Sequence, residues 1–177
     1  MRSVKPILGL MLAFMLTGCA SLMMSVKDNE GSVASVMLKR GDSVTLETPT
    51  WDAALAPKLT KAKYTKESFE KLITTSVTDA LGRRGVTIAA SAKDATGRVS
   101  VHLSEYHYGS GAARFFLAGT GFGDSKLGGS ITIETPAGKR EMEVRKRGAK
   151  SGLGTWGDQT PENVSYFANA AAAKIVQ

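Results

Sequence analysis

The chain contains one cysteine, Cys19, which comes shortly after the most apolar stretch of the sequence. That stretch is an uninterrupted run of ten residues, Ile7 to Leu16, and it lies behind a short basic start formed by Arg2 and Lys5. A basic start and a short apolar run form the plan of a secretory signal, whereas a membrane-spanning helix needs about 20 apolar residues. A single cysteine also excludes an internal disulfide and any zinc site built on two thiolates. The exported domain must therefore fold on its hydrophobic core.

The residues around Cys19 predict lipidation. Leu16-Thr17-Gly18-Cys19 resembles the bacterial lipobox, in which leucine and small residues precede a cysteine that becomes lipidated. The resemblance implies a diacylglycerol thioether on Cys19 and cleavage before it, and two or more acyl chains anchor a protein stably. Ala20 stands where an aspartate would imply retention at the inner membrane. The resemblance therefore implies the periplasmic face of the outer membrane rather than the inner membrane.

The signal divides the chain into three parts. We expect residues 1–18 to be a lipoprotein signal peptide, residues 19–34 to be the lipidated cysteine and a polar tether, and residues 35–177 to be a single α+β domain. The whole chain has 23 Lys and Arg against 16 Asp and Glu, a formal net charge of +7. This moderate basic charge does not indicate a nucleic-acid partner, because the signal directs the chain out of the cytoplasm.

Hydrophobic periodicity predicts the elements of the domain. Helical spacing from Thr65 to Leu81 predicts one helix, and Thr160-Pro161-Glu162 is a typical start for a second. Alternating or β-rich runs predict strands over residues 43–48, 86–90, 98–108, 127–135 and 140–147. The resulting order, β-α-β-β-β-β-α, predicts an α+β fold with an antiparallel or mixed sheet of about five strands and two packed helices. Residues 35–38 are expected to form a hairpin with residues 43–48.

Both histidines of the chain lie in one predicted strand, residues 98–108. Tyr106 and Tyr108 break the alternation of that strand, which predicts a β-bulge or a change of sheet face. On a regular strand His102 and His107, five residues apart, would point to opposite faces. The pair therefore does not predict a metal site.

A glycine-rich segment over residues 109–129 separates two predicted strands. Gly119-Thr120-Gly121-Phe122-Gly123 lacks the Gly-Lys-Ser/Thr of a P-loop and the strand–turn–helix context of a dinucleotide site. The sequence also lacks a Gly-x-Ser-x-Gly elbow and a His-Glu-x-x-His motif, and no carboxylate pair is evident, so we expect no enzyme, cofactor or metal site. The aromatic residues of this segment favour a partner-binding loop, made of Arg114, Phe115, Phe116 and Phe122.

The same segment carries a family resemblance. The run from Ala113 to Gly123, the turn Pro136-Ala137-Gly138-Lys139 and the Ala-rich terminal helix resemble a group of small proteobacterial lipoproteins that carry a domain of unknown function. The similarity extends over Val44 to Val176. It implies an envelope location and an α+β fold, and it implies no activity.

Basic residues are concentrated in and directly beside the last predicted strand: Lys139, Arg140, Arg145, Lys146, Arg147 and Lys150. We interpret them as charges on a solvated edge strand, where charged side chains protect the strand against aggregation. Contact with anionic headgroups or envelope polymers is the second interpretation.

The sequence thus predicts a lipid-anchored envelope lipoprotein that is a non-enzymatic binding or structural module. Its expected partners are the membrane, through Cys19, and an envelope protein or an anionic envelope polymer. The alternative is an accessory regulator of a periplasmic machine, such as a cell-wall synthase activator or a secretion component.

Overall fold

A computed structural model describes residues 23–110, 125–147 and 158–177, which form one mixed sheet and three α-helices. The strands are β1 (Met23–Asp28), β2 (Ser43–Leu46), β3 (Thr50–Trp51), β4 (Thr87–Ile88), β5 (Gly97–His107), β6 (Lys126–Thr135) and β7 (Gly138–Arg147). The helices are α1 (Ala56–Lys61), α2 (Lys66–Gly82) and α3 (Thr160–Ile175). The predicted α+β class is confirmed, and the sheet has seven strands.

The strands lie in the order β1-β7-β6-β5-β2-β4, and β3 pairs with β5 beyond the end of β2. β5, β6, β7 and β1 are antiparallel neighbours, whereas β2 and β3 run parallel to β5, and β4 runs parallel to β2. Residues 35–38 do not form the predicted hairpin, because β2 already has β4 and β5 as its neighbours. Leu38 instead makes a parallel bridge to Val176, just after α3.

Two helices and one face of the sheet enclose the core. α2 starts with a capping box in which the Ser68 amide donates to the Thr65 hydroxyl at 3.2 Å and the Thr65 amide donates to the Ser68 hydroxyl at 3.0 Å. Its buried side chains have the helical spacing that the sequence predicted: Phe69, Ile73, Val77, Ala80 and Leu81. α3 contributes Val164, Phe167, Ala168, Ala171 and Ile175. The small alanines let α3 pack closely.

A bulge interrupts the pairing of β5 with β6. Leu103 pairs with Gly129 and Glu105 pairs with Gly128, so Ser104 is the extra residue. Gly129 is required here, because a Cβ atom at that position would lie 2.2 Å from the carbonyl oxygen of His102. The predicted bulge is confirmed.

The bulge corrects one expectation about the histidines. The extra residue shifts the alternation of β5, so His102 and His107 lie on the same face, while Tyr106 points into the core and is 1% exposed. The prediction of opposite faces assumed a regular strand and is wrong.

β1 corrects two further expectations. It occupies residues 23–28, within the segment that we expected to be a tether. It pairs along β7 from Met23 with Arg147 to Asp28 with Met142, so β7 is an interior strand. The interpretation of β7 as a charged edge is therefore wrong, and β1 is the edge strand of that side.

Candidate functional site: the polar face of the sheet

The sheet has one apolar face, which the helices cover, and one polar face. The alternation of side chains along each strand produces this division. We use "outer face" for the polar side, formed by Lys27 of β1, Lys139, Glu141, Glu143 and Arg145 of β7, Lys126, Ser130, Thr132 and Glu134 of β6, Arg98, Ser100, His102 and Glu105 of β5, and Glu47 and Thr50 beside them.

The outer face carries both signs of charge in similar number, the histidines aside. Lys27, Arg98, Lys126, Lys139 and Arg145 are basic, and Glu47, Glu105, Glu134, Glu141 and Glu143 are acidic.

Several of these charges form ion pairs between neighbouring residues. A nitrogen of Arg98 lies 2.9 Å from Glu47, Arg145 donates to Glu143 at 2.6 Å, and Lys139 lies 3.9 Å from Glu134. Exposed pairs of this kind add little stability, about 0–1 kcal/mol each.

One hydrogen-bonded set on the outer face has catalytic residue types. β3 lies beside β5, and the Thr50 hydroxyl is 3.0 Å from Nδ1 of His102, while Nε2 of His102 is 3.1 Å from the Asp52 carboxylate. The carboxylate accepts only, so when the ring is neutral Nε2 carries the proton and Nδ1 accepts from Thr50. The order hydroxyl, imidazole, carboxylate is that of a catalytic triad.

The surroundings of this set are open to solvent. The side chain of His102 is 46% exposed and that of Asp52 is 51% exposed. Electrostatic catalysis depends on excluding water from the reacting groups. Sequence reasoning missed the set because Thr50 and Asp52 lie about fifty residues from His102, and the two-residue strand β3 gives no periodic signal.

Two basic residues that we expected on the surface lie on the inner face. Alternation along β7 places Lys139 and Arg145 outside but Arg140 and Lys146 inside. Nε and an Nη nitrogen of Arg140 donate to the two carboxylate oxygens of Asp28 at 2.6 and 3.2 Å, and its other Nη donates to the carbonyl oxygen of Lys174 at 3.2 Å. The Arg140 guanidinium lowers the pKa of Asp28 from its usual value.

Lys146 is buried at the other end of α3. Its ammonium donates to Oδ1 of Asn163 and lies 5.3 Å from the centre of the Tyr166 ring. Because an ammonium can only donate, this contact fixes the orientation of the Asn163 amide.

A partly buried polar cluster holds the first turn of α3. The Tyr106 hydroxyl and the Thr160 hydroxyl are 2.7 Å apart, and Ser125 donates to Gln159 at 3.2 Å. Asp158 accepts from the amide of Thr160 at 2.9 Å and also from the hydroxyl of Tyr64. Burial raises the pKa of Tyr64 and of Tyr106. These contacts tie α3 to β5, β6 and the start of α2.

The site residues predicted from sequence lie elsewhere in the chain. Cys19, and Arg114, Phe115, Phe116 and Phe122 of the expected partner-binding loop, are outside the described residues. Within the described ranges, no group of three or more His, Cys, Asp and Glu is placed to hold a metal ion. In the same ranges, no helix has the length and apolar character needed to cross a bilayer.

No family model matches the chain, and no curated protein matches its sequence. Solved structures do match its fold. The PelC dodecamer from Paraburkholderia phytofirmans has 15% sequence identity and a TM-score of 0.54, covering 88% of this chain and 99% of that chain. A variant PelC dodecamer from the same organism has 17% identity, a TM-score of 0.48 and coverage of 86% and 97%. A DUF4136 family protein from Bacteroides thetaiotaomicron has 8% identity, a TM-score of 0.40 and coverage of 86% and 95%. The first likeness shows that this chain shares the fold of PelC.

Proposed function

We propose that the chain is a lipid-anchored envelope protein that faces the periplasm and acts as a non-enzymatic structural module by assembling with copies of itself. The likeness to PelC carries the part of this proposal that concerns assembly. The match covers 99% of the PelC chain, and PelC is a dodecamer. Because the match takes in nearly the whole PelC chain, the residues that form that dodecamer lie within the part of PelC that this chain matches. We therefore expect the same fold to support assembly of this chain with its own copies.

The outer face is the surface that we assign to these contacts. It carries basic and acidic residues in similar number, so it suits a second copy of the chain better than an anionic envelope polymer. The acidic residues would repel such a polymer while the basic residues attract it. The segment with Arg114, Phe115, Phe116 and Phe122 stays a second proposed contact, for an envelope protein.

The anchor and the location rest on the residues around Cys19. Full-length chain expressed in a Gram-negative host and labelled with a fatty-acid precursor should carry label on Cys19. A Cys19→Ser variant is the matched control and should carry none. Membrane fractionation should place the labelled chain in the outer membrane. An unlabelled wild-type chain would overturn the anchor.

The number of copies tests the assembly. The lipidated chain, extracted in mild detergent and examined by native mass spectrometry, should give one closed oligomer with a fixed subunit number. A monomer at every concentration up to about 50 μM, well above typical dissociation constants of stable complexes, would contradict the proposal.

The non-enzymatic part of the proposal concerns the set Thr50, His102 and Asp52. We expect a fluorophosphonate probe, which labels activated hydroxyl nucleophiles, to leave Thr50 unmodified, because water surrounds the set. A probe adduct on Thr50 that disappears in a His102→Ala variant would identify a hydrolase instead.

The alternative role, as an accessory component of a periplasmic machine, differs in its partner. Crosslinking in the intact envelope that recovers copies of the chain and no second protein favours self-assembly. Repeated recovery of one unrelated envelope protein at similar yield favours the accessory role.

A further inference from the structure

The connection between the lipidated cysteine and the sheet is short. Only Ala20, Ser21 and Leu22 separate Cys19 from Met23, where β1 begins. Four backbone steps span at most about 14 Å. The headgroup layer of one leaflet takes up about 5–8 Å, so the start of β1 must stay within roughly a nanometre of the membrane surface.

The strand pairing shows which other residues share this position. Met23 pairs with Arg147, Arg147 pairs with Lys126, and Lys126 pairs with His107. These four residues form the last rung of the sheet on one side. We call this side the anchor end. The opposite end holds the β6–β7 turn at Pro136 and Ala137, nine rungs away, which is about 30 Å along the strands.

We propose that the anchor end is a docking surface for the phospholipid headgroups of the membrane, so that the domain stands on the bilayer in one orientation. This inference rests on the proposed lipidation of Cys19. The occupant follows from the length of the connection, because a lipid on Cys19 holds the bilayer within roughly a nanometre of this end.

The chemistry of the two ends agrees with this orientation. The last rung at the anchor end includes two basic residues, Lys126 and Arg147, beside His107 and Met23, and basic residues favour anionic headgroups. Among the described residues, three large hydrophobic side chains are exposed. Met24, 40% exposed, and Tyr108, 38% exposed, lie at the anchor end, and tyrosine favours the interface between lipid and water.

The opposite end has a different composition. Its last rung pairs Thr135 with Gly138, and neither residue is charged. Val33 is the third exposed hydrophobic residue and donates its amide to the carbonyl oxygen of Lys139, next to this rung. A single valine does not make a membrane-binding surface.

Fluorescence quenching in liposomes tests the orientation. Single cysteines replace Tyr108 at the anchor end and Ala137 at the opposite end, in the full-length lipidated chain. Cys19 does not compete for the label, because its sulfur is held in the lipid thioether. The labelled proteins, each carrying an environment-sensitive dye, are inserted in vesicles of phosphatidylethanolamine and phosphatidylglycerol at 3:1, with a spin-labelled lipid as quencher.

We expect the dye at position 108 to be quenched at least three-fold more strongly than the dye at position 137. The matched control is the same pair of variants in a chain that begins at Met23 and carries no lipid, which should show little quenching at either position. Equal quenching at both positions, or stronger quenching at 137, would overturn the orientation. Mass analysis of Cys19 separates this failure from a failure of lipidation, because an unlipidated protein would overturn the proposed function as well.

Discussion

Arg140 and Lys146 lie on the same strand and the same face, yet they contact opposite ends of α3. Arg140 is beside the carbonyl end of α3, where it donates to the carbonyl oxygen of Lys174 and where a cation interacts favourably with the helix dipole. Lys146 is near the amino end and relies on Asn163 and the Tyr166 ring. The carboxylate of Asp28 adds a second partner for Arg140. Arg140 therefore links β1, β7 and α3 in a single contact.

The Asp28–Arg140 pair predicts a pH-dependent effect on stability. Because Arg140 lowers the pKa of Asp28 in the folded state, the pair stabilises the fold above the usual carboxylate pKa, and this stabilisation is lost as the pH falls through the lowered value. Asp28→Asn should reduce the free energy of unfolding at pH 7 by about 1 kcal/mol, since Asp28 is 41% exposed and solvent screens the pair. The difference from wild type should shrink towards pH 3. Urea unfolding at each pH measures it, and exposed Asp79→Asn is the control. A difference that stays constant with pH would contradict the prediction.

Gly129 and Gly82 form a matched pair at the residue scale. A Cβ atom at Gly129 would meet the carbonyl oxygen of His102 at 2.2 Å and the Cα atom of Leu103 at 2.9 Å, whereas none of the described atoms lies within 4 Å of a Cβ at Gly82. Gly129→Ala should therefore lower the free energy of unfolding by about 3 kcal/mol, because the bulge backbone must move. Gly82→Ala, at the end of α2, should be neutral or stabilise by up to about 1 kcal/mol. Equal effects of the two substitutions in urea unfolding would show that the bulge adapts freely.

At the scale of elements, strong periodicity decided what the sequence could predict. α2, α3 and the strands β5, β6 and β7 each carry a long apolar pattern, and the structure confirms all five. β1 and β3 lack such a pattern. β1 is half polar and is held by pairing with β7 and by the distant Arg140, and β3 has two residues that depend on β5.

The candidate site was predicted less well for the same reason. The outer face depends on which strands become neighbours, and local alternation does not contain that information. The set of Thr50, Asp52 and His102 exists only because β3 pairs with β5. The alternation of β7 places Arg140 and Lys146 on one face of the sheet and Lys139 and Arg145 on the other. The sequence alone does not show which of these two faces the helices cover.

The segment before β2 predicts an effect of truncation. Residues 23–38 cover β7 and bury Val36 and Leu38, which are 2% and 0% exposed. A soluble chain that begins at Met23 should fold cooperatively, whereas a chain that begins at Lys39 should lose about 4 kcal/mol or more and aggregate through the uncovered edge of β7. Thermal circular dichroism and gel filtration of the two chains measure this. If the shorter chain stays monomeric with an unchanged melting temperature, β1 is not part of the cooperative fold.

At the scale of the whole molecule, the fold is a layer of helices packed on a sheet whose other face is polar. The described helices lie against the apolar face, where α2 and α3 contact each other and α3 contacts β6 and β7. The outer face therefore offers a broad sheet surface with both signs of charge. The short connection to Cys19 would fix how that surface stands on the membrane. Orientation on the membrane and assembly then become linked, because copies anchored by the same end present the same face at the same height.

This geometry predicts which face makes contacts in the envelope. A photoreactive amino acid at Ser130, in the middle of the outer face, should crosslink to a second copy of the chain in living cells after irradiation. The matched control places the same photoreactive amino acid at position 75, where Thr75 is exposed on α2 on the helical side. This variant should give at least five-fold less of that product. Ser130 lies between His102 and Glu143 in the sheet, so substitution there leaves the core intact. Immunoblots under denaturing conditions resolve the dimeric adduct. Adducts from Thr75 with none from Ser130 would assign assembly to the helical side. Adducts from neither position would contradict assembly through the outer face.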